Sequence, residues 1–237
     1  MLKYKDTVIA DAGFVINLPE REDRRNEVTQ LLNELDITGW EFENGVKHDE
    51  PEWHKYGCTQ TFLNIFKKAI DNNYSSIIIF EDDITLTQTI TKEDIDSIFK
   101  QIKKKSRKYD FIALGTRPLW DSKIIKNSDY FGTVENCVCA HAFLYKKKFI
   151  KYIYSKLKNY KKESCPHYKV IIDEFINDCC SHKQIYKRPN KLFRAGITIP
   201  MVFTQRPSYS NNEQGFVNYQ GWIEDSYWSA FTNGQNQ

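Results

Sequence analysis

The chain has 237 residues, 41% hydrophobic and 27% charged, enough for one sizeable core and too apolar for a disordered chain. Its 34 basic and 31 acidic residues leave a net charge of only +3, so no whole-molecule field draws it onto nucleic acid or a membrane surface. Aromatic residues reach 14%, which leaves rings for stacking on bases or sugars.

In chain order, Phe14-Val15-Ile16-Asn17-Leu18 reads as a buried strand that Pro19 ends, because proline cannot donate to a sheet ladder. Val28, Leu31, Leu32 and Leu35 then fall at helical spacing within Glu22 to Asp36. The connecting loop holds Arg21, Arg24 and Arg25. Gly57-Cys58-Thr59 opens a second helix, with Phe62, Ile65, Phe66, Ala69 and Ile70 as its stripe and Asn72-Asn73 as its stop. Ser76 to Phe80 is a β-branched run of the kind found in a central strand covered on both faces. Thr91-Lys92-Glu93-Asp94 is a capping signature for a helix whose inner face is Ile95, Ile98, Phe99 and Ile102.

Phe111 to Gly115 and Ala140 to Tyr145 read as further strands, and Lys147 to Leu157 and Asp173 to Cys180 as helices. Ile197 to Phe203, interrupted by Pro200, reads as a late edge strand. Residues from roughly 206 to 237 show little period and are expected to be an irregular tail. Alternating strands and helices predict an α/β protein, one domain spanning 1–237, with a mostly parallel central sheet flanked by helices.

Six cysteines occur without any C-x-x-C pair, which argues against a zinc site and for packed, reduced thiols. The opening residues are too short for a signal segment and the longest apolar runs are strand-sized. A soluble, cytoplasmic protein with no membrane span is the expectation.

The chemistry concentrates in Glu81-Asp82-Asp83, directly after the most apolar strand. Ligands of open α/β sheets bind beyond the carboxyl ends of strands. Three adjacent carboxylates there repel one another unless a cation relieves them, and a hard divalent ion does so while also bridging phosphate oxygens. Residues two apart in extended chain point the same way, so Glu81 and Asp83 share a face and Asp82 takes the other. Asp83 is the expected direct metal ligand, with Glu81 and Asp82 ligating through water or holding a ribose. The competing reading is a solvated loop start.

These pieces together resemble glycosyltransferase family 25, which includes bacterial lipooligosaccharide galactosyltransferases and collagen galactosyltransferase domains. Phe14 to Leu18 with the charged run Glu20 to Arg25 resembles the family's opening strand and arginine loop. Gly57-Cys58-Thr59-Gln60-Thr61-Phe62 is similar to its Gly-Cys helix start, with Gln60-Thr61 in place of the usual Ser-His. Ile77 to Ile84 is similar to its metal-binding segment. Ala140-His141-Ala142-Phe143-Leu144-Tyr145 resembles its strand before a helix, with Cys139-Ala140-His141 replacing a Gly-Thr-containing stretch. Ile172-Asp173-Glu174 resembles its later acidic site, and Ile199 to Gln205 with Ser208 its closing element. The resemblance implies a GT-A-type (Rossmann-like) fold, a UDP-sugar donor carrying galactose or glucose, Mn2+ or Mg2+, and inversion at the sugar carbon.

On that footing Asp83 and Glu81 hold the metal. Asn17, Arg21, Arg24, Glu81, Asp82, His141, Gln205 and Ser208 form the donor site. Arginine forks match phosphate oxygens, although a solvated helix start is the plainer account of Arg25. Asp173, with Glu174 second, is the candidate base for the acceptor hydroxyl; a carboxylate placed at a helix N-terminus for the dipole is the competing account. A lone core histidine is the default for His141. Trp222 and Trp228 are candidate acceptor-stacking residues, or staples of the tail. The expected acceptor is a glycan hydroxyl, ahead of a polypeptide or a modified nucleobase. Two alternatives stand beside this: another metal-dependent nucleotide or phosphate enzyme, weakened by the lack of a Gly-rich phosphate loop, and an inactive nucleotide- or glycan-binding module.

Overall fold

The computed structural model describes residues 1–50, 54–119, 121–159, 172–180, 193–210 and 215–235. Strands β1 (Leu2–Tyr4) and β2 (Thr7–Ala10) form a hairpin that leads into β3 (Ala12–Asn17) and helix α1 (Glu22–Glu34). β4 (Ile37–Thr38) returns to pair with β1, and β5 (Trp40–Asn44) lies parallel to β3. Helix α2 (His54–Asp71) precedes β6 (Ser76–Glu81), β7 (Ile84–Leu86) and helix α3 (Lys92–Lys105). β8 (Phe111–Pro118), β9 (Ile124–Ser128), β10 (Phe131–Val134) and β11 (Cys137–Lys146) follow, then α4 (Lys147–Leu157) and α5 (Ile172–Cys180). The chain closes with β12 (Ala195–Thr198), β13 (Phe203–Gln205), β14 (Ser208–Ser210), β15 (Gly215–Val217) and α6 (Tyr219–Gln235).

The main sheet has the order β5-β3-β6-β11-β8-β12-β10-β9. β5, β3, β6, β8, β12 and β9 run one way; β11 and β10 run the other. The expected mostly parallel sheet is therefore present, with β11 inserted antiparallel at its centre.

Strand alternation sends the apolar runs to both faces. Ile77, Ile79, Phe111, Phe143 and Tyr145 join one core with residues of α2, α4, α5 and α6. Ile78, Phe80, Ile112, Leu114 and Leu144 join the other with residues of α1, α3 and the first hairpin. The sheet is thus covered by helices on both sides, which is why its strands are apolar without interruption. Each fully buried Ile or Phe contributes about 2 kcal/mol relative to exposure.

Local signals match the ends of several elements. Thr91 accepts from the Asp94 amide while the Asp94 carboxylate accepts from the Thr91 amide, a complete capping box. Asn73 takes a left-handed conformation (φ 59°) just past α2. Gly57 lies within α2 rather than at its start, and its pro-Cβ position falls 2.2 Å from the Val46 carbonyl. Only glycine lets the helix sit this close to the loop after β5.

Two expectations are corrected. Residues 197 to 203 do not make one edge strand. Pro200, joined to Ile199 by a cis peptide, separates β12 from β13. β12 lies inside the main sheet between β8 and β10, whereas β13 pairs with β7 in a separate ribbon. The expected irregular tail instead contains the 17-residue helix α6. Its buried stripe is only Ile223, Tyr227 and Ala230, and exposed Trp222 and Trp228 blur it in sequence. Gly221 and Gly234 further disguise it as loop.

Gly234 gives a test of how α6 is seated. A Cβ there would meet the Ile124 carbonyl of β9 at 2.1 Å. In a free helix Gly→Ala stabilises by about 1 kcal/mol. Gly234→Ala is therefore expected to lower the thermal midpoint instead of raising it, as measured by calorimetry; a raised midpoint would mean α6 is not packed on β9.

Candidate active site

β3 and β6 end side by side, because Ile16 lies opposite Glu81 in their parallel register. The antiparallel β11 begins at the same edge, with Ala142 opposite Phe80. A cavity of about 450 Å³ opens here. Its wall carries the carboxylates Glu81, Asp82, Asp83, Asp173 and Glu174, and the cations Arg21, Arg24, Lys47, Lys55 and Arg117.

The acidic cluster is held from two sides. Asn17, almost fully buried, donates from Nδ2 to Asp82 Oδ2 at 2.7 Å and to the Arg21 carbonyl at 3.1 Å. Arg24 Nη1 reaches Asp82 Oδ1 at 2.9 Å and Asp83 Oδ2 at 3.2 Å, while its Nη2 donates to Ser208 Oγ at 2.6 Å. Gln205 Nε2 donates to Glu81 Oε2 at 3.0 Å and Asp83 Oδ1 at 3.3 Å. Glu81, at the end of β6, and Asp83, in the turn before β7, thus share one amide, and Asp82 turns toward β3. Gln205 reaches them because β13 pairs with β7, setting Gln205 opposite Ile84. The neighbouring Arg206 closes the arrangement: its amide donates to the Asp83 carbonyl at 2.9 Å and its guanidinium to the Asp82 carbonyl at 3.0 Å.

Burial first, and then the negative charges of Asp83, Asp173 and Asp82, push the Glu81 carboxyl well above the usual carboxylate range. Burial and Asp83 also raise Asp82, against the opposing pull of Arg24 and Asn17. Among the described residues no three His, Cys, Asp or Glu side chains converge as a metal-ligand set. Glu81 and Asp83 supply the pair of carboxylates on a common face.

Asp173 reaches this edge from α5. Its Oδ2 accepts from the Cys139 amide at 3.0 Å. Cys139 adopts φ 61°, left-handed for a non-glycine residue, at a register shift between Val138 and Ala142. This kink costs about 1 kcal/mol and turns the strand's amide into the cavity. Burial raises the Asp173 carboxyl to about 6, although backbone amides of Cys139 and Ala140 oppose the shift. Cys58 faces the same groups: burial and then Glu81, Asp173 and Asp83 push its thiol well up. Helix α2 is registered by Thr61, whose hydroxyl accepts from the Val46 amide at 2.8 Å and donates to the Gly57 carbonyl at 2.9 Å.

Most expected site residues come together here. Arg21 lines the cavity but directs its guanidinium to Asp23, at 2.9 and 2.7 Å. Asn17 and Ser208 act from behind, holding Asp82 and Arg24. Arg25 stacks on Phe42, 3.9 Å from the ring centroid. Trp222 lines the cavity. Two residues lie elsewhere. His141 is fully buried beneath the cavity, with Nε2 3.3 Å from the Phe203 carbonyl and a ring lowered by burial to about 4; it is a neutral core residue and no donor-sugar contact. Trp228 packs edge-on to Tyr227 and Phe231, away from the cavity, so it is no acceptor platform. His182, which carries still less weight than His141 as a sugar contact, lies outside the described residues. Arg117 and Lys55 line the cavity without having been singled out, and so does Cys58 of the Gly-Cys helix start, which had been given no site role. Arg117 follows the same rule that marks Glu81: a charge at the end of an apolar strand.

Arg24 neutralises two carboxylates that have little access to water. Arg24→Ala is expected to cost roughly 3 kcal/mol in urea unfolding, because a buried charge loses its partner. Adding Asp82→Asn should recover part of that loss; an additive further loss would mean the pair is not coupled.

Among solved structures, A197 from STIV matches with a TM-score of 0.38 at 11% identity, over 87% of this chain and 92% of that one. Mannose-1-phosphate geranyltransferase from Thermus thermophilus matches at 0.43 and 9%, over 79% and 72%. A glycosyltransferase involved in glycosylation of the major capsid of PBCV-1 matches at 0.42 and 10%, over 86% and 95%. Likeness at these scores is remote, and the fold rests on the chain's own strand order and direction. No curated protein sequence matches. The model of glycosyltransferase family 25 (LPS biosynthesis protein) does match, over residues 54–171. That span contains the Gly-Cys helix, the acidic cluster and the kinked strand, and the chain belongs to glycosyltransferase family 25.

Proposed function

We propose that this transferase moves a hexose, galactose or glucose, from a UDP-sugar to a glycan hydroxyl with inversion, and that it depends on Mn2+ or Mg2+. The observation that supports it is the meeting, in one cavity, of a buried Glu81-Asp82-Asp83 cluster, phosphate-matching arginines and a separate carboxylate raised to about 6.

The donor set suits a hard divalent ion. Glu81 and Asp83 offer carboxylate oxygens on one face, and such ions are commonly held by one or two carboxylates with substrate phosphates completing the shell. Burial, and then repulsion from Asp83, Asp173 and Asp82, raises Glu81, and a cation would relieve the repulsion. When bound, the ion neutralises the leaving diphosphate. Arg24 presents Asp82 and Asp83 in fixed positions and adds positive charge beside the phosphates. Gln205 and Arg206 tie the closing ribbon to the cluster. In this reading the uridine lies just past the ends of β3 and β5, where Leu18, Gly45 and Val46 line the cavity.

Asp173 takes the proton of the acceptor hydroxyl as its oxygen attacks the sugar carbon, and the UDP oxygen departs from the opposite side. The Cys139 amide orients the carboxylate. Burial holds its affinity for protons high enough to accept one near neutral pH. Glu174, which lines the same cavity, is the second candidate.

The experiment is nucleotide release from a panel of UDP-sugars with and without Mn2+. Metal-dependent release from one sugar, lost in Asp83→Ala, is the expected result. Release from none, with no UDP binding by calorimetry, would sink the proposal in favour of another phosphate enzyme or a binding module.

Asp173→Asn is expected to lower transfer by about 10²- to 10⁴-fold with the fold intact. The sign of the pH dependence follows from the raised carboxyl. Below about 6 Asp173 is protonated and cannot act as base, so kcat/KM should rise with pH and level off above about 6. An acid limb that stays near pH 4, roughly where an ordinary carboxylate titrates, would remove Asp173 from the role.

A further inference from the structure

Arg117 is a cation in the cavity that the steps above do not use. It stands near the end of β8, with Val138 of β11 opposite it. Its guanidinium lies 3.7 Å from the centroid of the Trp222 ring on α6, and Trp222 in turn stacks near Tyr219 with centroids 6.1 Å apart. The guanidinium also lies near the Cys139 side chain, whose thiol it pulls down against burial and Asp173. Its Nε is buried without a partner, and among the described residues no carboxylate pairs with it. A guanidinium fork fixed by a ring, lining a cavity and lacking an anion, is built to receive one.

Strand order says which substrate supplies the anion. Glu81 ends β6, Asp173 is bonded to the start of β11, and Arg117 is near the end of β8. Because these strands are adjacent in that order, Arg117 sits about 10 Å, two strand spacings, from the phosphate-holding cluster. The candidate base lies between. A group bound by Arg117 is therefore on the far side of the base from the donor diphosphate, which is the acceptor's side.

We infer that Arg117, clamped by Trp222, makes this transferase selective for an anionic sugar acceptor, one bearing a carboxylate or phosphate beside the hydroxyl that is glycosylated. The inference rests on the transferase function proposed above. Arg117 is a specificity residue here: it holds the acceptor by charge and geometry while Asp173 moves the proton. The carboxylate of a uronic acid and the phosphate of a sugar phosphate share the required chemistry.

The test measures nucleotide release and transfer product with the preferred UDP-sugar and three acceptor probes. These are methyl galactoside, methyl galacturonide and galactose 6-phosphate, given to the wild type, Arg117→Gln and Arg117→Lys. The readout is the ratio of kcat/KM for each anionic probe to that for the neutral one, which is insensitive to the folded fraction of a variant. The wild type should favour at least one anionic probe by about tenfold or more, the size of one charge-assisted hydrogen bond. Whichever anionic probe leads identifies the source. Arg117→Gln should bring the ratio to about 1, since the charge-assisted bond is gone, and Arg117→Lys should leave part of the preference. A wild type with no anionic preference, or an unchanged ratio in Arg117→Gln, would overturn the inference while leaving donor hydrolysis to support the transferase function. Absence of release from any nucleotide sugar would overturn both together.

Discussion

Everything at the site depends on placing three consecutive carboxylates at the end of a fully buried strand. Isolated, such a cluster would be unfavourable by mutual repulsion and lost hydration. The fold answers with groups from distant parts of the chain. Asn17 and Arg24 come from the first strand-loop-helix unit, and Gln205 with Arg206 from the late ribbon. Arg24, Gln205 and Arg206 each contact more than one member of the cluster or its backbone, so charge compensation also fixes side-chain direction. Compensation is incomplete, since Glu81 remains raised.

The second constraint is the antiparallel β11, inserted between β6 and β8. It separates the acidic cluster at the end of β6 from Arg117 on β8 and gives Asp173 its anchoring amide. Cys139 bears a left-handed backbone for this purpose. A strained residue at a register shift is a common way for a sheet to redirect a polar group. The same shift puts the Cys139 sulfur within reach of Arg117, so one irregularity organises both the candidate base and the cation beyond it.

Helix α6 completes the cavity from outside the family-matched span. Through Tyr219 and Trp222 it forms the wall against which Arg117 is held. Close backbone approach at Gly234 and the burial of Ile223, Tyr227 and Ala230 dock it on the sheet. One half of the cavity is built by the first strands and the acidic cluster. The opposite half depends on a C-terminal helix whose surface aromatics vary in role: Trp222 faces the cavity and Trp228 packs beside its own helix neighbours.

The apolar runs at 76 to 80 and 111 to 115, the helical stripes of α1, α2 and α3, the capping box and the acidic cluster at a strand end were all legible in the amino-acid order. Each follows from periodicity or local hydrogen bonding within a few residues, which is where sequence alone is decisive. The α/β class followed from the same alternation. Strand order was not legible, and what depends on it was not either. β12 proved to be interior rather than an edge, and α6 replaced an irregular tail because a narrow buried stripe between exposed tryptophans gives little periodic signal. His141 belongs to the core because β11 crosses beneath the late ribbon. Asp173 and Arg117 acquire their surroundings only when α5 and β8 are set on either side of the β11 kink. Those neighbours come from separate elements whose contacts no local pattern encodes. Sequence by itself therefore determined which residues could carry charge to the sheet's edge, while tertiary structure decided which of them face one another there.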